Sequence, residues 1–194
     1  MDDFQLWFRT GAEHILDLNG YDHILFIVVL SILFSYRDWK PLLFLVTAFT
    51  IGHSLTLAMS VFDWIQLQRS FVEVCIALTI VISSIFNLLD LKRNQTDISG
   101  RYLTVVLFGC VHGLGFSYLL KSMLGHQESI LLPLFYFNLG LEAGQIIIVL
   151  FVLILKFILI SFWKSKEKII TTTITFVILL WALQMLLKRI LNYE

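Results

Sequence analysis

Residues 130–162, ILLPLFYFNLGLEAGQIIIVLFVLILKFILISF, decide the fold. Within them only Glu142 and Lys156 are charged, and Pro133 stands near the start, where a helix tolerates proline. About 20 apolar residues carry a helix across the hydrocarbon layer, so this run spans a membrane and overshoots it, by tilting or by extending beyond the lipid. Outward from it, five shorter apolar runs separated by polar breaks meet the same criterion: 21–36, 41–61, 71–90, 102–120 and 169–187. The first is short and draws on the segment before it. Alternating strand patterns are missing, which argues against a barrel.

Composition agrees. The 194 residues are 58% hydrophobic and 14% charged, far from the roughly 25% charged usage of a soluble domain. The expected fold is all-α: one integral membrane domain over 1–194, with an interfacial helix and turn at 1–20 and a six-helix bundle at 21–187. The start MDDFQLWFR lacks the basic and apolar regions of a removable signal peptide, so the first span serves as the insertion signal. Residues 4–18 mix apolar and charged positions too evenly to span and form an amphipathic helix at the interface. Asn19 and Gly20 then supply a turn, and the chain enters the membrane at Asp22 and His23.

Fourteen basic and fourteen acidic residues cancel, so nothing recommends a nucleic-acid partner. Cys75 and Cys110 both lie in apolar runs, which excludes a secreted-type disulfide framework and leaves a single pair open. Six spans put both termini on one side. That side carries Arg9, Arg69, Lys121, Lys188 and Arg189; the opposite loops carry Arg37, Lys40, Lys92, Arg93, Arg101, Lys164, Lys166 and Lys168. The excess of basic residues marks the cytoplasmic face and places both termini outside, with Lys188 and Arg189 running against the trend.

Ionisable groups inside a bilayer cost a few kcal/mol each and normally face partners in the bundle. Here they are Asp22 and His23 in the first span, His53 in the second, Glu73 in the third, His112 in the fourth and Glu142 in the fifth, with Asn138 and Gln145 beside it. His53 and His112 each lie about eight residues from the terminal-side end of their spans, roughly 12 Å deep. Asn138 reaches a similar depth, Asp22, His23 and Glu73 are shallower, and Glu142 and Gln145 deeper. Asn138, Glu142 and Gln145 share one helix face by their i, i+4, i+7 spacing. Thr50, His53 and Thr56 make a polar stripe, and Gly109 and Gly113 around His112, like Gly140 and Gly144, allow close helix approach.

Imidazoles with one or two carboxylates from different helices suit nickel, cobalt or zinc better than magnesium or calcium. Without thiolates a closed structural zinc site is disfavoured, and Asp22 is either a ligand or the orienter of His23. Simpler readings exist for each residue. A single intramembrane histidine, like Asn138 or Gln145, can be interhelical hydrogen-bonding glue. Glu73 can complement a helix dipole. His14 can be exposed at the interface, His126 solvated in a loop, and Lys156 snorkelled to the membrane surface. Tryptophans and tyrosines near helix ends act as interfacial anchors.

Four blocks carry a family resemblance: His14-Ile-Leu-Asp-Leu-Asn-Gly-Tyr-Asp-His23-Ile-Leu-Phe, Thr47-Ala-Phe-Thr-Ile-Gly-His53-Ser-Leu-Thr-Leu, Phe108-Gly-Cys-Val-His112-Gly-Leu-Gly-Phe and Phe137-Asn-Leu-Gly-Leu-Glu142-Ala-Gly-Gln145. In this order they resemble the HupE/UreJ family of bacterial membrane proteins, its second branch most closely. His14 stands where the better-known branch has the histidine of a His-Pro pair. The resemblance implies a small polytopic protein of the inner membrane, associated in part of the family with nickel or cobalt uptake for hydrogenase and urease. The last span adds no motif.

The expected partners are the bilayer, a metal ion and, as an open option, a second copy of the chain. In a transport reading, a divalent cation (nickel, cobalt or zinc) is partly dehydrated by His14, Asp22 and His23 and passes to His53, His112 and Glu142, with Glu73, Asn138 and Gln145 supporting. No phosphate-binding glycine loop is present to couple nucleotide hydrolysis. The alternative is a metal-dependent intramembrane hydrolase or acyl transferase acting on a lipid or membrane peptide, with three protein ligands, one open position and Glu142 or Glu73 as general base. A third reading makes the polar cluster only a packing device of an accessory subunit.

Overall fold

The computed structural model describes residues 2–93, 98–124, 130–162 and 166–192; His126 and Lys164 lie outside the described residues. Seven α-helices run in the order α1 (Asp3–Leu16), α2 (Asp22–Ser31), α3 (Trp39–Val61), α4 (Arg69–Arg93), α5 (Ile98–Leu124), α6 (Leu131–Phe162) and α7 (Glu167–Leu191), with a 3₁₀ turn at Tyr36–Asp38. No strand occurs among the described residues. Five helices, α3 to α7, are long and apolar enough to cross a membrane. Each contains the corresponding expected span and extends it by a few residues, except α6, which starts one residue later. Pro41 and Pro133 are each the third residue of a helix, where the backbone N–H they lack would have had no helical acceptor.

The remaining expected span, 21–36, is only partly helical. α2 has ten residues, about 15 Å of helix against a hydrocarbon layer of about 30 Å. It continues a line begun by α1. Trp7, Gly11 and Ile15 on the apolar face of α1 are buried, and that face closes on the first half of α6. Leu16, Ile24, Val28 and Ile32 then border a groove with Ile147, Ile148 and Val152 farther along α6. Fourteen and ten helical residues, about 36 Å together, thus flank α6 as one helix broken at residues 17–21. The break carries its own turn chemistry, with Asp17 Oδ1 accepting from the Asn19 backbone N–H at 2.9 Å.

The far end of α2 is held by Lys156, which does not snorkel. Its side chain is 4% exposed, and its ammonium donates to the carbonyls of Ile32 (2.9 Å) and Phe34 (3.0 Å) while standing 3.2 Å from Glu167 Oε1. A cation at these carbonyls is where the α2 dipole places its negative end.

Three helix pairs pack most closely: α3 with α5, α1 with α6, and α4 with α7. α2 lies between them, touching α1, α4, α6 and α7. Glycines stitch the first two pairs. A Cβ at Gly52 would overlap the Val106 carbonyl, one at Gly109 the Phe49 carbonyl, and one at Gly113 the His53 carbonyl. In the second pair, Gly11 lies against the Phe137 carbonyl, Gly140 against that of Phe8, and Gly144 against Ile15. Small residues let backbones approach where lipid offers no hydrophobic drive for helix association.

Charged residues join helix ends on each side: Asp63 pairs with Lys121 on one, and Asp90 with Arg101 (2.6 Å) on the other. α3 ends with Asp63 at φ 63°, its N–H bonded to the Ser60 carbonyl and the Trp64 N–H to that of Met59, a Schellman closure with aspartate in the place usually taken by glycine. The Lys121 ammonium, and after it the Gln66 amide, hold the Asp63 carboxyl below the ordinary carboxylate value. Exposed Phe44, Ile51 and Leu55 on α3, and Leu150, Phe151 and Ile154 on α6, form apolar outer faces suited to lipid.

Candidate metal centre

Where the three pairs meet α2, four imidazoles gather. His14 comes from α1, just before the break, and His23 from the first turn of α2; His53 lies in α3 and His112 in α5. One ring nitrogen from each of His14, His23 and His53 lies within 4.8 Å of the others. The His112 ring is 5.0 Å from that of His23, centre to centre. The glycine contacts set this geometry, because Gly109 and Gly113 let α5 approach the backbone of His53 itself.

Aromatic rings wall the cluster. Phe116 lies 3.9 Å from the His14 ring and stacks on Phe137 at 5.1 Å; Phe26 and Phe49 stand 5.1 and 5.2 Å from His112. His53 and His112 are fully buried and His23 nearly so. In this setting the ring nitrogens want partners, since buried polar groups are nearly always hydrogen-bonded. Yet His14 Nε2, both nitrogens of His23, both of His53, and His112 Nδ1 find none in the protein.

The other nitrogen of His112, Nε2, is 3.0 Å from Thr79 Oγ1 on α4. The Thr79 hydroxyl donates to the Ile76 carbonyl at 2.7 Å, so it offers His112 a lone pair. Nε2 then carries the ring proton and Nδ1 keeps a free lone pair. Asp22 stands behind His23: its Oδ1 accepts the His23 backbone N–H at 2.9 Å and lies 3.0 Å from His23 Nδ1, off the ring N–H direction. Its other oxygen, Oδ2, accepts from Arg189 at 2.8 Å. Asp22 thus braces His23 through its backbone N–H and by charge, not through a ring hydrogen bond.

The other expected residues lie elsewhere. Glu142 accepts from Thr47 (2.6 Å) and the Gln145 side-chain carbonyl from Thr50 (2.8 Å), two polar rungs between α6 and α3. The Asn138 amide donates to the Leu134 carbonyl one turn back. Glu73 pairs with Arg69 at the surface, and only its backbone carbonyl faces inward, accepting from Arg189. Sequence reasoning places Arg189 only among the loop charges that set topology and gives Thr79 no role. An arginine near a helix end looks like a loop charge, and a threonine can satisfy its hydroxyl on its own helix. The absence of a motif in α7 concealed Arg189 further.

Nitrogen donors without a thiolate, drawn from separate helices, fit a first-row divalent ion. With metal–nitrogen bonds near 2.1 Å, nitrogens on one such ion stand about 3.0–3.4 Å apart in cis or tetrahedral positions and at most about 4.2 Å when trans, so ring nitrogens spread over up to 4.8 Å would draw together around an ion. A cleft of about 710 Å³ reaches His14 from the surface, bordered by Glu13, Asp17, Phe116 and Met123. The family model described as HupE / UreJ protein matches residues 1–189. Neither a curated protein nor a solved structure matches the chain.

Proposed function

The chain belongs to the HupE/UreJ family, and from that premise we propose that it binds a divalent transition-metal ion, nickel or cobalt foremost, at the histidine cluster and conducts it across the bacterial inner membrane. One observation carries the reading: imidazoles from α1, α2 and α3 converge within 4.8 Å, in a wall of aromatic rings, with buried nitrogens that no protein group satisfies. His14, His23 and His53 are the first ligands, and His112 Nδ1 is a fourth donor close to His23. Asp22 orients His23, while Glu142 and Gln145 hold α6 to α3.

The ion reaches His14 through the cleft, past the Asp17 carboxylate, which raises the local cation concentration; Glu13 there is paired with Arg9. It sheds water in exchange for neutral ring nitrogens, which leave its charge uncompensated in the site. Both termini lie on the outer side. In support, Arg189 turns into the bundle and drops out of the basic residues counted for that side.

The test uses the whole protein purified in detergent. Nickel or cobalt binds with about one ion per chain, magnesium does not, and His53→Gln and His23→Gln each lower affinity by at least tenfold while keeping the metal-free unfolding temperature within a few degrees. In cells the same variants lose uptake of radioactive nickel or cobalt. Unchanged uptake and binding in both variants refutes the proposal. Metal retained through prolonged dialysis points instead to a resident catalytic ion.

A further inference from the structure

Arg189 lies two residues before the end of α7, and its guanidinium turns inward. One amino group donates to Asp22 Oδ2 and the other to the Glu73 carbonyl, each at 2.8 Å, so two anchors fix its plane. The side chains of Arg189 and Asp22 are only 21% and 11% exposed. Desolvating two charges offsets most of what their attraction returns, so such a pair is a poor stabiliser by itself. It does set the charge of the space beside the histidines.

That space holds few charges. Asp22 lies against the His23 ring, 3.0 Å from its Nδ1, and Arg189 is bonded to the far oxygen of Asp22. The Glu73 carboxylate is committed to Arg69 at the surface, and Glu13 and Asp17 border the outer cleft. With Arg189 in place the centre is neutral before metal arrives; without it the centre carries one negative charge.

We propose that Arg189 is a tethered counter-cation that sets the metal affinity of the histidine cluster by neutralising Asp22, the one acid beside it. The inference rests on the metal-binding reading above. An arriving dication meets no net negative charge and is held by neutral nitrogens alone, which keeps it exchangeable. In a partly buried site, one charge a few ångströms from a dication changes its binding by tenfold or more. Arg189 is a positioning and charge-setting residue; it does not touch the ion.

The test is a charge cycle on the full chain in detergent, read by nickel titration calorimetry with metal-free thermal unfolding alongside. Arg189→Gln keeps a polar amide but removes the charge, and binds nickel at least tenfold more tightly than the native chain. Asp22→Asn, which leaves the arginine charge unbalanced, binds at least tenfold more weakly. The double variant, neutral again, returns to within about threefold of native affinity, as does Arg189→Lys. If Arg189→Gln binds nickel equally or more weakly, and the double variant stays as weak as Asp22→Asn, Arg189 is a structural clamp and the counter-cation role is overturned. Should the native chain bind neither nickel nor cobalt, the metal-binding reading fails and this inference with it, a result separate from failure of the cycle alone.

Discussion

Among the histidines, a single hydroxyl decides which nitrogen is free. Thr79 donates to its own helix and therefore accepts from His112, which fixes the proton on Nε2 and presents Nδ1. Thr79→Val removes that acceptor with little change in volume. We expect nickel affinity to fall by about 10- to 100-fold, the usual effect of losing a partner behind a ligand, with uptake reduced in parallel. Glu142→Gln keeps its contact with Thr47 and should alter affinity less than threefold; a larger loss would make Glu142 a ligand. The histidines were legible in the sequence because an imidazole in an apolar run is costly and needs a reason. Lys156 and Arg189 were not, because a charge near the end of a hydrophobic run looks solvated until the neighbouring helix is known. Lys156 proves to be matched to the carbonyls that follow α2, and Arg189 to Asp22, across 122 to 167 residues of sequence.

For the helices, hydropathy gave α3 to α7 to within a few residues, since the bilayer imposes their length. It also gave the overlong α6. It could not give the line formed by α1 and α2, because α1 carries Arg9 and Glu13 on an exposed face and its other face is recognisable only once it lies on α6. The glycines announced close approach without naming the partner, and Gly140 and Gly144 prove to receive α1. Gly11→Leu tests what that contact does. The new side chain collides with the Phe137 carbonyl and the Leu141 amide, which are backbone and cannot rotate away. α1 should lift from α6 and carry His14 out of the cluster. Nickel affinity then falls as far as in His14→Gln, while α3 to α7 keep their helicity by circular dichroism. Retention of native affinity would show that His14 is dispensable.

Among the described residues, alternating helix direction puts the 62–68 connection on the side of the termini and Lys166, at the start of α7, on the other. In a chain with Cys75 and Cys110 replaced by alanine, a membrane-impermeant thiol reagent should label Gln66→Cys in spheroplasts and Lys166→Cys only after lysis. The reverse pattern would invert the orientation and make the outward cleft an exit. The arrangement of three packed pairs about α2 bears on motion as well. Each pair is knit tightly within itself, and the seams between pairs are looser. Those seams all run through the histidines, since His14 rides on one pair, His53 and His112 on another, and Thr79 and Arg189 on the third. A slip of one block past its neighbour by an ångström or two leaves every helix intact and changes how many nitrogens can reach one ion. In the proposed metal-binding reading, the number of bonds an ion keeps then gauges how the blocks stand, and the tightness of its grip and the shape of the protein vary as a single quantity.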